Sequence, residues 1–287
     1  MWTADRWQDY EVLDTTAGEK LERWGDYILI RPDPQAIWRT PREHPGWNRA
    51  EGRYSRSRTG GGAWDKGGLP SDWEIDYEDL RFRVKPMNFK HTGLFPEQAV
   101  NWELCRSLIS GAGREINVLN LFAYTGGATL ACASAGAKVC HLDAVKNMVE
   151  WGKENARLSG LSDKPIRWIT DDAMKFLGRE IKRGNRYDGI ILDPPSYGRG
   201  TNGELWKLED CIYELMERCT AVLSDKPLFL LLNSYTTGLS PSVMAYLLKM
   251  TVGQKYKAEI SAEEIGLPVE RTGLPIPCGN TAVALFE

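Results

Sequence analysis

The sequence lacks several features that would place the protein in a special class. No window approaches the roughly 20 apolar residues that a helix needs to cross a bilayer. The segment MWTADRWQDYEVL has neither a basic n-region nor an apolar h-region. None of the six cysteines forms a CxxC pair or a metal-ligand spacing. We therefore expect a cytoplasmic protein with buried, reduced thiols, no membrane association and no metal site.

The sequence also lacks an excess of positive charge. Its 36 lysines and arginines are outnumbered by 39 aspartates and glutamates, which gives a formal net charge of -3. A protein that coats nucleic acid through charge alone needs a strong basic excess. This mode of binding is therefore excluded, while a local basic patch remains compatible with the composition.

From about residue 114 onward, short apolar runs alternate with helical patterns, which indicates βαβ units and a parallel sheet. Seven segments are predicted to be strands: INVLNLF, KVCHLD, PIRWIT, YDGIILD, PLFLLLNSY, KAEISAEEIGL and TAVALFE. Five segments between them have the length and apolar spacing of helices: GATLACASAG, AVKNMVEWGKENARLSG, AMKFLGREIKRG, ELWKLEDCIYELMERCTAVL and SPSVMAYLLKMTVG.

The pattern before residue 90 is different. Two pieces, DYILIRP and IDYEDLRFRVKP, are strand-like. Between them, HPGWNRAEGRYSRSRTGGGAWDKGGLPSD is rich in glycine and arginine and has no periodicity, so we predict a loop or lid. We divide the chain into a β-rich accessory region over residues 1–89 and a main domain over residues 90–287.

The strongest local motif is a strand, turn and helix in VLNLFAYTGGATL, residues 118–130. Gly126 and Gly127 would let the backbone approach a ligand closely, beside helix amides that attract a carboxylate or phosphate. The spacing is not GxGxxG, which weakens a nicotinamide or flavin interpretation. Asp143, at the tip of the next strand, is placed to accept both ribose hydroxyls of an adenosine ligand. Capping of a helix is its alternative role.

Two further strand ends carry candidate ligand-binding residues. Asp171 or Asp172, after the third strand, would either bond an adenine amino group or cap the next helix, and we favour Asp172. The fourth strand ends in the string DPPSY, where two prolines exclude ordinary sheet or helix interior. This rigid turn is predicted to present the Asp193 carboxylate, backbone carbonyls and the Tyr197 ring to a planar substrate.

The motifs NLFAYTGG, HLD and DPPSY resemble, in order and spacing, those of class I S-adenosylmethionine-dependent methyltransferases. Within this class the chain most resembles the bacterial large-subunit ribosomal RNA methyltransferases that make 5-methylcytosine or 7-methylguanine. The reason is that KHTGLFPEQAVNW, residues 90–102, is similar to their KTGFFLDQR segment, with His91 inserted. The resemblance covers roughly residues 80–287.

The resemblance implies an α/β fold with a Rossmann-like, doubly wound, seven-stranded sheet. The implied strand order is 3-2-1-4-5-7-6 with the last strand antiparallel, preceded in this chain by the small N-terminal β-rich extension. It also implies S-adenosylmethionine as the cofactor. The predicted cofactor-binding residues are Thr92, Phe95, Gln98, Asn120, Phe122, Tyr124, Thr125, Gly126, Gly127, Asp143, Ala144, Asp172, Ala173 and Asp193. The predicted catalytic residues are Asp193, Pro194 and Tyr197.

A departure from the family bears on the product. Members that methylate C5 of cytosine need a cysteine thiolate that attacks C6. The segment expected to supply it, LLNSYTTGLS, contains no cysteine, and Cys278 in LPIPCGNTAV is a poor substitute. We therefore favour direct transfer to a base nitrogen, which needs only orientation and exclusion of water. A flipped or single-stranded base would enter the site.

The glycine- and arginine-rich segment is the candidate substrate-binding region. It interleaves arginines with aromatic residues, a mixture that binds single-stranded RNA, although a solvated loop explains it equally well. The predicted substrate-binding residues are Arg49, Arg53, Arg56 and Arg58. Methylation of ribosomal RNA is the favoured function. The alternatives are methylation of a small molecule or protein, an NAD-dependent oxidoreductase, and a binding module without catalysis.

Overall fold

The computed structural model describes residues 1–57, 61–199 and 205–287. The chain forms two compact units that are interleaved along the sequence. Unit 1 comprises Met1–Val100 and Ile265–Cys278, and unit 2 comprises Asn101–Glu264 and Gly279–Glu287. The boundary that we drew between residues 89 and 90 stays a prediction. Among the helices of the described residues, none is long and apolar enough to span a membrane.

Unit 1 consists mainly of short β-strands. Its largest sheet has the order β2-β3-β4-β5-β6, with β2 at Tyr10–Thr16, β3 at Glu19–Trp24, β4 at Tyr27–Pro32, β5 at Gly52–Arg56 and β6 at Gly62–Asp65. A separate hairpin joins β7 (Trp73–Tyr77) to β8 (Leu80–Val84). The short β1 (Trp2–Thr3) pairs in parallel with Ile265 and Gly266, which also belong to unit 1.

The segment IDYEDLRFRVKP, expected to be one strand-like piece, contains a turn. The backbone of Glu78 has a φ of 53°, in the left-handed region, and the chain reverses there between β7 and β8. Every second residue is buried on both sides of the turn: Trp73, Ile75 and Tyr77, then Leu80, Phe82 and Val84. The two alternating patterns are one residue out of phase, which the turn explains.

The glycine- and arginine-rich segment is also more regular than we predicted. It contains a 3-10 turn at Pro45–Asn48 and the antiparallel pair β5 and β6. Tyr54 and Trp64 face each other across this pair, with ring centroids 5.6 Å apart in an edge-to-face arrangement. A Cβ at Gly62 would lie 2.6 Å from the Tyr54 hydroxyl, so glycine leaves room for that ring. Gly52 and Gly62, two of the glycines that obscured the strand pattern, are thus part of this pair of strands.

The interior of unit 1 contains an ionic cluster. Glu22 is fully buried and bonds to Arg31 at 2.5 Å, to Lys20 at 3.2 Å and to the Tyr10 hydroxyl at 2.7 Å. Burial opposes ionisation of Glu22, but Arg31 and Lys20 outweigh it and hold the pKa of its carboxyl at about 2. The charges of this cluster are therefore mutually dependent, because a buried charge needs a partner.

The predicted main sheet lies mostly in unit 2 and has eight strands in the order β1-β16-β17-β15-β12-β9-β10-β11. The strands are β9 (Asn117–Leu121), β10 (Lys138–Asp143), β11 (Ile166–Thr170), β12 (Gly189–Leu192), β15 (Phe229–Ser234), β16 (Ala258–Pro268) and β17 (Pro275–Phe286). The two-residue β1 is an addition at one edge. When the other seven strands are renumbered 1 to 7 along the chain, their order read from β11 is the predicted 3-2-1-4-5-7-6, and β17 is antiparallel to β15. The predicted fold class is confirmed.

Helices connect the strands as the periodicity indicates. They are α1 (Ala99–Gly111), α2 (Gly127–Ser134), α3 (Lys146–Leu158), α4 (Ala173–Arg183), α5 (Leu208–Val222) and α6 (Pro241–Met250). The helix that we expected from residue 204 begins later. Residue 204 lies outside the described residues, and Leu205–Lys207 forms β14, paired with β13 at Tyr197–Arg199. Lys207 keeps an extended backbone, with φ -129° and ψ 120°, before α5 starts.

Candidate active site

The predicted site residues of unit 2 follow the ends of neighbouring parallel strands. Leu121 of β9 is in register with Leu192 of β12 on one side and with Leu142 of β10 on the other. The next residues are therefore at one edge of the sheet: Phe122, Asp193 and Asp143. In open α/β sheets, ligands bind at this carboxyl edge, where the direction of the crossovers reverses.

The loop from β9 to α2 has an unusual backbone. Phe122, Tyr124 and Gly126 have φ values of 56°, 49° and 92°, all in the left-handed region. Only glycine adopts this region at no cost. Two backbone hydrogen bonds hold the loop: Ala123 donates its N–H to Leu142 O at 3.0 Å, and Gly126 donates to Ala123 O at 3.0 Å. The loop is thus a fixed turn with strained positions, a feature found at ligand-binding sites.

The neighbouring helices approach this loop closely. A Cβ at Gly127 would lie 2.5 Å from the Trp102 ring on α1. On α3, Asn155 donates its side-chain N–H to Thr125 O at 2.9 Å, and a Cβ at Gly152 would lie 2.8 Å from Trp168. Gly127 therefore serves helix packing, and its predicted role beside the cofactor stays a prediction.

Asp143 ties the loop to the next strand. Its Oδ2 accepts a hydrogen bond from Tyr124 N at 2.9 Å, and its Oδ1 accepts one from Val145 N at 2.8 Å. Burial raises the pKa of the carboxyl, while these two bonds act in the opposite direction. Each carboxylate oxygen has a second lone pair, so Asp143 still has the capacity to accept ribose hydroxyls. Ala144, next to it, is exposed.

A buried polar chain lies behind the glycine loop. Asn120 donates from its amide to Thr129 Oγ1 at 2.9 Å, and Thr129 Oγ1 lies 2.9 Å from His141 Nδ1. The His141 and Trp168 rings pack with their centroids 4.6 Å apart. Burial lowers the pKa of His141 to about 3, so its imidazole is neutral near pH 7. Within the part of the chain that the structure describes, His141 Nε2 has no hydrogen-bond partner.

Sequence reasoning missed His141 and Thr129. The HLD motif drew attention to Asp143 alone, although the histidine lies two residues earlier on the same strand. Alternation along a strand would have placed the side chains of His141 and Asp143 on one face of the sheet. The side chain of Asn120 is buried beneath the loop by its bond to Thr129.

The aspartates after β11 have structural partners. Asp172 is the N-cap of α4, where its Oδ1 accepts from Lys175 N at 2.9 Å. Asp171 accepts from Asp172 N at 2.8 Å and pairs with Arg179. The capping role that we considered is therefore present, and the adenine contact of Asp172 stays a prediction. Ala173 packs in the hydrophobic core.

The DPPSY turn is held from both sides. Pro195 O accepts a hydrogen bond from the Trp206 indole at 2.6 Å, and Ser196 Oγ accepts one from the Thr236 hydroxyl, after β15, at 2.6 Å. Pro194 is buried and Asp193 is half-buried. Tyr197 is 62% exposed. The turn can thus present a carboxylate, a carbonyl and an accessible aromatic ring from a fixed backbone.

Two aromatic residues near this turn were not predicted as site residues. The Trp206 ring lies 5.6 Å from Phe122 of the glycine loop. Tyr235, directly after β15, is 38% exposed and covers Gly279, where a Cβ would lie 2.8 Å from its ring. The position of Tyr235 directly after the fifth strand could have identified it as a site residue. Trp206 could not be identified in this way, because its segment was predicted to be a helix.

The remaining predicted residues belong to unit 1. Thr92 is fully buried, and its hydroxyl has no hydrogen-bond partner among the described residues. Gln98 is buried, and the half-buried Phe95 lies 5.2 Å from the His91 ring. The ligand contact predicted for Thr92 stays a prediction.

The four candidate arginines differ in their surroundings. Arg53 forms an ion pair with Glu19 at 2.6 Å. Arg49 and Arg56 are exposed, and Arg58 lies outside the described residues.

Burial raises the pKa of the Cys278 thiol, which donates to Ile276 O at 3.6 Å. Because a thiolate is the nucleophilic form, Cys278 is poorly suited to attack a base.

Known proteins resemble this chain over most of its length. A family model described as S-adenosylmethionine-dependent methyltransferase matches residues 34–221. The crystal structure of a SAM-dependent methyltransferase from Agrobacterium tumefaciens is 36% identical and superposes with a TM-score of 0.90, covering 97% of this chain and 90% of that chain. A Streptococcus mutans protein assigned as a SAM-dependent methyltransferase, 17% identical, shares the fold with a TM-score of 0.75 over 98% of this chain and 76% of its own.

Curated relatives match a shorter stretch. Ribosomal RNA large subunit methyltransferase K/L of Shewanella frigidimarina is 33% identical over 125 residues, 43% of this chain and 17% of the relative. Its counterpart from Methylococcus capsulatus is 31% identical over 147 residues, 50% of this chain and 19% of the relative. The matched region therefore spans less than a fifth of these relatives.

The fit of the cofactor can be judged from the residues present. The fixed glycine loop, the first turn of α2 and the half-buried carboxylate of Asp143 at one sheet edge form a cradle suited to the amino-acid and ribose parts of the cofactor. With the family model matched over most of the chain and the Agrobacterium structure matched over nearly all of it, the protein belongs to the S-adenosylmethionine-dependent methyltransferase family and uses S-adenosylmethionine as its cofactor.

Proposed function

We propose that this enzyme methylates a base nitrogen in ribosomal RNA and works in the cytoplasm. The observation that carries the proposal is the match to ribosomal RNA large subunit methyltransferases from two organisms. The matched 125 residues are 43% of this chain. The identity of the substrate is therefore inferred from matches that cover 43% to 50% of this chain.

The choice of nitrogen rests on the cysteines. Attack on C6 of a pyrimidine needs an accessible thiolate. Cys105, Cys132, Cys140 and Cys219 are buried, and burial raises the pKa of the Cys140, Cys219 and Cys278 thiols. The segment after β15 contains none. Transfer to a nitrogen requires no such nucleophile.

The DPPSY turn supplies the groups that such a transfer needs. S-adenosylmethionine, when bound, provides an electrophilic methyl group. Asp193 and the Pro194 carbonyl would accept hydrogen bonds from an amino group of the base and fix its orientation. Tyr197, which is exposed, would stack on the base, and Asp143 would hold the ribose of the cofactor. Because the turn is rigid, these contacts cost little reorganisation.

The test is methyl transfer from labelled S-adenosylmethionine to ribosomal RNA that lacks its natural modifications, followed by mass spectrometry of the nucleosides. We expect a nucleoside methylated on nitrogen. Tyr197→Ala should lower kcat/KM for RNA by roughly 5- to 100-fold, the loss expected for one stacked base. The control is Tyr213→Ala, since Tyr213 is 50% exposed on α5. This substitution should leave kcat/KM for RNA unchanged.

Other outcomes would contradict the proposal. Label in 5-methylcytosine would show that the argument from the cysteines is wrong. Label in a small-molecule or protein fraction, with none in RNA, would favour a different substrate class. Binding of NAD without binding of S-adenosylmethionine in calorimetry would contradict the family assignment itself.

A further inference from the structure

Unit 1 carries an exposed aromatic residue at the tip of a turn. The turn lies between Lys85 and Thr92 and is closed by two backbone hydrogen bonds: Lys85 N donates to Thr92 O at 2.9 Å, and Met87 N donates to His91 O at 3.1 Å. Phe89 is 60% exposed at its tip. The phenylalanine ring therefore has a fixed backbone and an accessible face.

The turn is held by the β5–β6 hairpin. The Trp64 indole donates a hydrogen bond to Phe89 O at 2.9 Å. Trp64 itself packs against Tyr54, with ring centroids 5.6 Å apart. The position of Phe89 relative to this hairpin is thus determined by a side chain of β6. Trp64, which packs on Tyr54, thus holds the backbone that carries the exposed Phe89 ring. Exposed aromatic rings are the stacking platforms of single-strand binders.

Cationic groups lie beside this platform. Arg56 is two residues from Tyr54 on β5, so both side chains are on the same face of the strand. Arg56 is exposed and has no ion-pair or hydrogen-bond partner among the described residues, unlike Arg53, which is paired with Glu19 at 2.6 Å. Its charge is therefore available to a ligand.

Lys90 is the second cation. It follows Phe89 directly and is half-buried, with its Nζ 3.4 Å from Pro32 O. Burial lowers the pKa of Lys90, and the positive charges of Lys20, Arg31 and Arg56 lower it further, while Asp33 acts in the opposite direction. Asp33 also pairs with Lys20, at 3.6 Å. Lys90 therefore lies near enough to Arg56 for their charges to interact.

We infer that Phe89, Arg56 and Lys90 form a binding subsite for single-stranded RNA, in which Phe89 stacks on a base and the two cations bind neighbouring phosphates. The inference rests on the proposed function and names part of its substrate surface. A duplex would not offer an unstacked base to Phe89, and an acidic protein would use the cations without the ring.

The test uses the full chain and a fluorescein-labelled, 12-nucleotide single-stranded RNA of mixed sequence, with binding followed by fluorescence anisotropy. Phe89→Ala should weaken binding by roughly 5- to 100-fold. Arg56→Gln combined with Lys90→Gln should reduce the slope of log Kd against log salt by about 1.4, since each phosphate contact of a single strand contributes roughly 0.7. The KM for ribosomal RNA should rise in both variants.

Matched controls come from α6. Tyr246 is 67% exposed, and Lys249 is exposed on the same helix, so Tyr246→Ala and Lys249→Gln should bind RNA as the wild type does. Thermal unfolding and binding of S-adenosylhomocysteine verify that each variant is folded. If Phe89→Ala binds the RNA as tightly as the wild type does, the subsite alone is wrong. If the wild type neither binds nor methylates RNA, the proposed function fails together with the subsite.

Discussion

Gly127 shows how one missing side chain shapes the cofactor loop. It is the first residue of α2, and its Cα faces the Trp102 ring so closely that any Cβ would overlap the ring. Interiors are packed to the density of organic crystals, so an added methyl group has no free volume to occupy. The start of α2, and with it the loop before it, depends on this contact.

Gly127→Ala should therefore destabilise the protein by about 1–3 kcal/mol, the usual cost of overpacking. Its affinity for S-adenosylhomocysteine should fall as well, because the loop must shift. Denaturation in urea and calorimetry would measure the two effects. Gly111→Ala is the control: nothing lies within 4 Å of its Cβ position, so its stability should be unchanged or higher by a few tenths of a kcal/mol. Equal effects of both substitutions would contradict the packing argument.

At the scale of an element, α4 allows two roles of one aspartate to be separated. Asp172 caps this helix, and Ser240 caps α6 in the same way, through an acceptor for Val243 N. Asp172→Ala and Ser240→Ala should each cost about 1 kcal/mol of stability, as losses of N-caps do. Only Asp172→Ala should also weaken binding of the cofactor. The measurements are urea denaturation and calorimetric titration with S-adenosylmethionine.

If Asp172→Ala binds S-adenosylmethionine as tightly as Ser240→Ala does, the capping role is sufficient and the adenine contact is wrong. The pair is informative because both residues precede helices with an observed side-chain cap. A general loss of stability would affect both variants alike, so a difference between them reports on the site.

The elements of unit 2 were predictable because their apolar residues are arranged by simple periods. Continuous apolar runs such as Phe229–Leu232 of β15, where all four residues are buried, indicate a buried strand without further information. Once the strands are predicted, their carboxyl ends are known, so Asp143 and Asp193 were identified by position alone. His141 and Trp206 were not, because their roles depend on contacts with residues that are distant in sequence, Thr129 and Pro195.

The elements of unit 1 were harder to predict for a related reason. In β3, Lys20 and Glu22 are buried although their side chains are charged. A hydrophobicity pattern treats such residues as exposed, and only the pairing of β3 with β4, which brings Arg31 to Glu22, explains why they are inside. Information of this kind lies between strands and is absent from any local window.

For the molecule as a whole, the ionic cluster of unit 1 predicts sensitivity to acid. Glu22→Gln leaves Arg31 buried without its counter-charge and leaves Lys20 with Asp33 alone, which should cost about 3–5 kcal/mol. Because the folded-state pKa of Glu22 is depressed to about 2 from an ordinary value of 4.5, its contribution is present above pH 4.5 and is lost as the pH falls toward 2. Urea denaturation between pH 7 and pH 3 would measure both effects.

The control for this prediction is Glu74→Gln. Glu74 lies on β7 with longer ion pairs, 3.9 Å to Arg81 and 3.7 Å to Arg83, and its side chain is 37% exposed. Exposed pairs contribute roughly 0–1 kcal/mol, so this variant should stay near the wild type and keep its pH dependence. A pH profile of Glu22→Gln that parallels the wild type would show that other groups dominate acid unfolding.

The interleaving of the two units has a consequence for synthesis of the chain. Trp2 pairs with Ile265, and Val12 forms a bridge with Val269, so each of these contacts forms only after about 260 further residues have been synthesised. At about 5–20 residues per second, this delay is roughly 15 to 50 s. During that time the edge later covered by residues 265–278 is open to other chains, and a chaperone that occupies it would shield the nascent protein from aggregation.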